Sequence, residues 1–455
     1  MTGIAGLTAE EFYREREHRT SLVVASTAYR ETSARITLGR DATSFADQVA
    51  FLTAVNLTAR WCRTIALSAP AAALEPRLGT AFGLAGMSVV EAAATLARTA
   101  DPFAHASVDL VPKSPMHLAI GTDAPPGAYA ILGRGWIAMT GEAVRGDGDA
   151  ENPLGAVLAA CVGVAYLFRS AVGVPRPGGV RLSLWNLRGG DAAHDGPRLA
   201  PAPLGRVLIV GCGAVGSAIL YLLPLAGLSG GFDLVDGDRV QIPNLSAAPL
   251  FLADHVSDLK VEIAAEYLQR NGLAAVPHPV WFDEAVAAGR IFVQRPDLVI
   301  PAANERDVRR RIQHQAAPLQ VYGTTGRNWD AFLGRHIPLR EDCLACRFPQ
   351  ARPAGEPTLA CGWGTLPAVP ETQTPVTATL PFLPTAAAAM AVAELVKTAF
   401  PGYPWNANFA CLDFLGRLGD FLVVPHAPRP GCICDGQRDV WQSLNEATRF
   451  ARLSM

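Results

Sequence analysis

Gly211, Gly213 and Gly216 make a G-x-G-x-x-G loop between the β-branched run VLIV and the small-residue run AVGSAIL. A strand, a tight loop and a helix in that order aim a phosphate at the helix N-terminus. Glycine is wanted because a Cβ would hold the anion away from the backbone amides. Asp236 ends the next apolar run, 20 residues beyond Gly216, where an acid accepts from a ribose hydroxyl. A second set of residues suits a metal. Cys343-Leu-Ala-Cys346 and Cys432-Ile-Cys434 offer four thiolates, enough for a closed tetrahedral Zn2+ site, although C-x-C is a tighter bite than the usual C-x-x-C. Taken alone, the glycine loop serves a hydride-carrying dinucleotide as well as it serves ATP.

The elements that must position these residues follow from hydrophobic pattern. From Arg206 strand and helix alternate: VLIVG, AVGSAILYLLPLAG, GGFDLVD, LKVEIAAEYLQRNG, AVPHPVWF, PDLVIPA and ERDVRRRIQHQAA. Such alternation predicts an α/β fold, a Rossmann-like doubly wound and mostly parallel sheet covered on both faces. Beyond residue 335 the chain turns Pro- and Cys-rich around one long helix, 385–400. The first half shows strands at 63–70 and 129–141 and an amphipathic helix at 44–62. The loop LRGGDAAHDGPRLAPAPLG separates the halves. The expected division is an N-terminal α/β domain over 1–190, a linker over 191–205, the glycine-loop domain over 206–440 and a tail over 441–455. No repeat recurs at a fixed period.

Composition narrows the setting. A chain of 455 residues is too long for one ordinary core. With 50% hydrophobic and 18% charged residues and a net charge of −2, it reads as globular, with neither nucleic acid nor membrane as a partner. The longest apolar run, 153–168, falls short of the ~20 residues of a membrane span and reads as a buried helix. Nine cysteines and a charged amphipathic start point to reduced thiols in a cytoplasmic protein.

The stretch LVDGDRVQIPNLSAAPLFLADHVSDLKVEIAAEYL separates ATP from a dinucleotide. Asp236-x-Asp238, then Asn244-Leu245, then Lys260 sixteen residues past the asparagine, resembles the adenylyltransferases of the ThiF/MoeB and ubiquitin-activating type. The resemblance covers roughly 200–440 and continues through DLVIPAANERDVRRRI with Arg309. It implies that Asp236 holds the ribose, that Asn244 and Lys260 reach the triphosphate, and that ATP with Mg2+ adenylylates the C-terminal carboxylate of a small ubiquitin-like protein. A lysine suits that chemistry, since a fixed ammonium stabilises the charge that builds on departing pyrophosphate. Two positions depart from the family. Ala247 stands where an arginine is usual, and Asn304 where an aspartate binds magnesium, with Asp238 and Glu305 as candidates to compensate.

In the resembling family a C-x-x-C pair and a C-terminal pair form a zinc clamp, matching Cys343, Cys346, Cys432 and Cys434. Cys361 lies in the polar loop TLACGWGTLPAVPETQTP, where thioester-forming relatives keep their nucleophile. Cys62, Cys161, Cys212 and Cys411 read as structural. The first half lacks a glycine loop and resembles a degenerate, inactive adenylation half, the plan of enzymes in bacterial ubiquitin-like conjugation systems. That plan implies a pseudo-dimer within the chain, or a homodimer, with Arg14, Arg16 or Arg19 crossing to replace the missing arginine, and a carrier enzyme bearing its own cysteine. Three other readings stay open: a sulfur-carrier or peptide adenylyltransferase without a thioester, a scaffold that lost the chemistry, and a Rossmann oxidoreductase.

Overall fold

The computed structural model describes residues 4–454 other than 5, 109–115, 293, 305, 316–317, 348–378, 417, 437 and 447–448. Among the described residues sixteen strands divide into two sheets of eight. The first holds β1 (Ser33–Leu38), β2 (Thr64–Ser68), β3 (His105–Val108), β4 (Met116–Ile120), β5 (Tyr129–Arg134), β6 (Ile137–Gly141), β7 (Val180–Ser183) and β8 (Arg188–Gly189). The second holds β9 (Ala202–Val210), β10 (Leu228–Val235), β11 (Ala274–His278), β12 (Leu298–Pro301), β13 (Leu319–Thr325), β14 (Asp330–His336), β15 (Phe409–Asp413) and β16 (Leu422–Val424).

The order across the first sheet is β3-β2-β1-β4-β5-β6-β7-β8, and across the second β11-β10-β9-β12-β13-β14-β15-β16. These are the same order, shifted by eight. The first five strands of each sheet run parallel and the last three join antiparallel. The chain therefore carries one topology twice. In both sheets the first strand leads into a helix and the order reverses beside it, which creates a crevice at the carboxyl ends of the strands.

The helices that follow the first strands, Phe45–Ala59 and Ala214–Leu225, meet in a layer between the sheets with Leu154–Ala171 and Phe382–Lys397. Such helices have no solvent face, so the helix expected to be amphipathic over 44–62 is instead buried on every side, its Asp47, Gln48 and Asn56 meeting polar partners inside the protein. Leu154–Ala171 has the length and apolarity of a membrane span, yet lies almost wholly inside this layer. One continuous core runs through both halves. Polar bonds cross it as well, including Thr53 Oγ1 to Tyr221 Oη at 2.7 Å and Arg169 Nη1 to the Phe414 carbonyl at 2.6 Å.

Most expected strands and helices are found to within a few residues; the run 129–141 forms two antiparallel strands, β5 and β6, and three further differences stand out. The strand expected at VLIVG, from Val207, begins at Ala202, inside the expected linker. The run expected as one strand to Phe282 stops at His278, because Pro279 has no N–H for the ladder, and a helix Phe282–Ala287 follows. The expected tail starts inside a helix, Arg438–Glu446, whose Trp441 is buried against the cysteine cluster.

Candidate active site

Each glycine of the loop answers a different demand. Gly211 has φ +95°, and a Cβ there would lie 2.6 Å from the Ala303 nitrogen, so the loop after β12 passes directly against it. A Cβ on Gly216 would lie 2.0 Å from the Gly211 carbonyl oxygen, so the helix packs onto its own loop only with glycine. Nothing stands within 4 Å of a Cβ on Gly213. Gly213 is the residue that opens the helix Ala214–Leu225, and no side chain caps that helix. Its first-turn amides are left to an anion from outside.

Asp236, just past β10, is held on both oxygens. One accepts from the Cys212 amide at 2.7 Å and the other from the Asp238 amide at 2.9 Å. Burial pushes its carboxyl above the usual range, and the nearby Lys260 ammonium opposes that shift. Lys260 opens the helix Lys260–Arg270, is buried, and donates from Nζ to Asp238 Oδ2 at 2.7 Å, while Asp238 is about half exposed. Asn244 is buried in the short turn Ile242–Ser246, where its side-chain oxygen accepts from the Gln241 amide at 2.9 Å and leaves the NH2 group to donate. Asp236, Asp238, Asn244 and Lys260 thus gather on the β10 side of the loop. Asn304 stands exposed beyond β12, and Arg309 donates from Nε to the Ala303 carbonyl at 2.7 Å, bracing the segment that touches Gly211.

Sequence reasoning missed Arg60. It ends the helix Phe45–Ala59 of the first half and is buried. Its guanidinium donates to the carbonyls of Leu245 at 2.7 Å, Pro249 at 2.9 Å and Phe251 at 3.2 Å, and to Asn56 Oδ1 at 2.7 Å. Asn56 Nδ2 adds a bond to the Pro249 carbonyl at 3.1 Å. Burial lowers the guanidinium to about 9. The segment between Asn244 and Lys260 is therefore tied to the other half of the molecule. Ala247 is buried within it and offers no charge. The one signal in the sequence was an arginine closing an otherwise apolar helix.

The three N-terminal arginines separate cleanly. Arg14 is exposed. Arg16 is fully buried and committed to Asp101 Oδ2 at 2.6 Å and the Ala59 carbonyl at 3.2 Å. Arg19 lies in the short helix His18–Ser21, which packs on the turn carrying Asn244. Burial lowers the Arg19 guanidinium, and the Asp238 carboxylate is near enough to oppose it.

The matching place in the first sheet is closed. After β1 the helix Phe45–Ala59 is capped by Ser44, whose Oγ accepts from the Asp47 amide. A Cβ on Gly39 would lie 1.8 Å from Asp123 Oδ1, and Asp123 Oδ2 accepts from the Arg40 amide at 2.9 Å. A carboxylate of the chain itself occupies the position where the second half leaves room.

The cysteine sulfurs of 343, 346 and 432 lie within 4.8 Å of one another, with Cys343 and Cys432 3.5 Å apart. Tetrahedral Zn–S bonds put sulfurs about 3.8 Å apart, so the three fit one ion. Cys434 packs in the same cluster, accepts from Gln313 Nε2 at 3.2 Å, and donates its amide to Cys432 Sγ at 3.2 Å. This amide–sulfur bond closes the tight C-x-C bite. The cluster ties the helix Arg438–Glu446, through Trp441, to the segment after β14. Cys62, Cys161, Cys212 and Cys411 are buried, and burial together with Asp236 drives the Cys212 thiol well up. Cys361 and Glu305 lie outside the described residues.

Residues 203–416 match the ThiF family, and residues 33–184 match the BilD N-terminal domain. An uncharacterized protein, y4jF, of Sinorhizobium fredii is 26% identical over 229 residues, 48% of this chain and 43% of its own. The sulfur carrier protein adenylyltransferase of Thermus thermophilus is 30% identical over 176 residues, 36% of this chain and 64% of its own. The human ubiquitin-like modifier-activating enzyme 7 is 34% identical over 131 residues, 26% of this chain and 13% of its own. The chain thus spans less than two thirds of each of these relatives.

Proposed function

Since residues 203–416 match the ThiF family, we propose that the chain is an adenylyltransferase of the ThiF/MoeB type and that it activates the C-terminal carboxylate of a small ubiquitin-like protein with ATP. One observation carries the reading. An uncapped helix N-terminus, a doubly anchored acid and a buried lysine converge at the carboxyl edge of one sheet, while a chain carboxylate fills the same place in the other. Asp236 accepts from the ribose hydroxyls, the amides after Gly213 face the phosphates, and Asn244 donates from its NH2. A carboxylate oxygen of the protein substrate attacks the α-phosphorus as the bond to the bridging oxygen breaks. Acyl-adenylate and pyrophosphate are the products. Lys260, held in place by Asp238, offsets with its ammonium the charge that builds on the leaving pyrophosphate.

Mg2+ is commonly held by one or two carboxylates plus substrate phosphates, and half-exposed Asp238 with the amide oxygen of Asn304 suits that pattern. The ion would neutralise phosphate charge. Zn2+ would be held by Cys343, Cys346 and Cys432, with Cys434 packed beside them as the fourth ligand, and would staple the C-terminal segment to the nucleotide domain. Purified protein is expected to carry about one zinc per chain in this closed thiolate site. Cys432→Ser is expected to lose the metal and melt at a lower temperature, as metal analysis and calorimetry would show. Full metal loading in that variant argues against the assignment.

The first half acts as the inactive partner. Arg19 crosses from it to the phosphates, in the role left vacant by Ala247. Arg19→Ala is expected to slow ATP–pyrophosphate exchange about tenfold or more, the scale of one charge-stabilising donor, with Arg14→Ala unchanged. Equal rates in the two variants exclude Arg19.

Cys361 is the proposed acceptor of the acyl group as a thioester, its thiolate attacking the adenylate carbonyl with AMP leaving. All other cysteines except those of the metal cluster are buried among the described residues, where a thiolate is disfavoured. A carrier enzyme with its own cysteine would take the acyl group next. The relatives named for a sulfur carrier and for a ubiquitin-like modifier bracket the substrate class. Exchange assays with candidate carriers ending in a free carboxylate test the whole reading, and the lack of exchange with every carrier would sink it.

A further inference from the structure

The geometry points to Trp281 as the platform for the nucleotide base, a specificity-determining role that rests on the ATP reading above. Trp281 is 54% exposed, and among the described tryptophans it alone stands open to solvent. Its position is not incidental to the site. A Cβ on Gly237 would lie 3.0 Å from both atoms of the indole fusion bond and 3.4 Å from a third ring atom. The fusion bond is enclosed in the plane by the two rings, so such an approach comes only through a face. One indole face therefore covers Gly237, between Asp236 and Asp238, and the opposite face accounts for the exposure.

The direction of the nucleoside follows from the sheet. Phosphates lie at the loop after β9 and the ribose at Asp236 after β10, so the base extends outward, away from the β9–β12 crevice and toward the end of β11. Trp281 stands in the segment that follows β11, whose last residue, His278, lends its carbonyl to the Asp236 amide. Gly237 is required for the same arrangement, because any side chain there meets the indole. Recognition by a π-face favours the larger purine over a pyrimidine and needs no hydrogen bond from the tryptophan.

The test uses the full chain and separates base from phosphate. Calorimetric titrations of ATP and of inorganic tripolyphosphate are run on wild type, Trp281→Ala and Trp281→Phe. The expected result is an ATP dissociation constant raised about tenfold in Trp281→Ala, the scale of one base–aromatic stack, with tripolyphosphate binding unchanged. Trp281→Phe keeps most of the affinity and loses the ATP-dependent change in tryptophan emission. ATP bound equally by wild type and Trp281→Ala overturns the proposal while leaving the ATP reading intact. Equal weakening toward ATP and tripolyphosphate overturns it too, since the loss is then not at the base. No ATP binding to the wild type removes both.

Discussion

Lys260→Ala is expected to lower the rate of ATP–pyrophosphate exchange by about 100- to 1000-fold, the range for removing one preorganised group that stabilises transition-state charge. The size follows from where the lysine stands. It is buried, its amide is bonded to the Asp238 carbonyl at 3.1 Å, and its ammonium is held by a half-exposed carboxylate. A long, flexible cation has thus been ordered before substrate arrives. Loss of an ordered charge in a desolvated place costs more than loss of a surface lysine. Asp238 is left without its partner, but it is open to water, so the variant should fold. A melting temperature close to wild type together with collapsed exchange is the expected pair of readings. Exchange within a factor of three of wild type would remove Lys260 from the chemistry.

Arg60→Ala is expected to have the largest effect on stability, about 3–5 kcal/mol, as for breaking a buried charged network by removing one partner. The guanidinium satisfies the carbonyls of Leu245 and Phe251 and shares that of Pro249 with Asn56 Nδ2. Each orphaned acceptor costs about 1–3 kcal/mol, and water entering the space would recover part of that. Arg60→Lys places one ammonium where a planar fork is needed, so it should recover less than half of the loss. Denaturant unfolding gives the stability. Exchange assays under folded conditions should show poorer ATP binding as well, because the freed segment joins Asn244 to Lys260. A variant that unfolds like wild type contradicts the clamp.

The glycine loop, its strand and its helix were legible because local pattern and local chemistry agree there. Gly211 and Gly216 are forced by backbone approaches of 2.6 and 2.0 Å, which leave a mark in residue type. The helices of the central layer were legible as apolar runs, though not what they pack against. Arg60, Thr53 and Tyr221 act between segments far apart in the chain, and no spacing rule reaches across such distances. The N-terminal arginines show the same limit. Helical position alone treats Arg14, Arg16 and Arg19 alike, and only Asp101, remote in sequence, removes Arg16 from consideration. The duplication of topology was expected from the family resemblance, while local spacing alone did not reveal it. Strand order is fixed by which edges pair, while the glycine loop that marks one copy is not repeated in the other, where Ser44 caps the helix and Asp123 packs on Gly39.

Asp123 has a consequence for timing. A nucleotide comes and goes with each catalytic cycle, and a half that depended on one would stiffen and loosen with it. A carboxylate fixed in the chain cannot leave, so the loop after β1 is set once, when the protein folds, and stays set. The helix behind that loop ends in Arg60, and Arg60 grips the segment beside the lysine. The first half thereby resembles a jig: its loop is closed by a carboxylate of its own, and through Arg60 it grips the segment of the other half that joins Asn244 to Lys260.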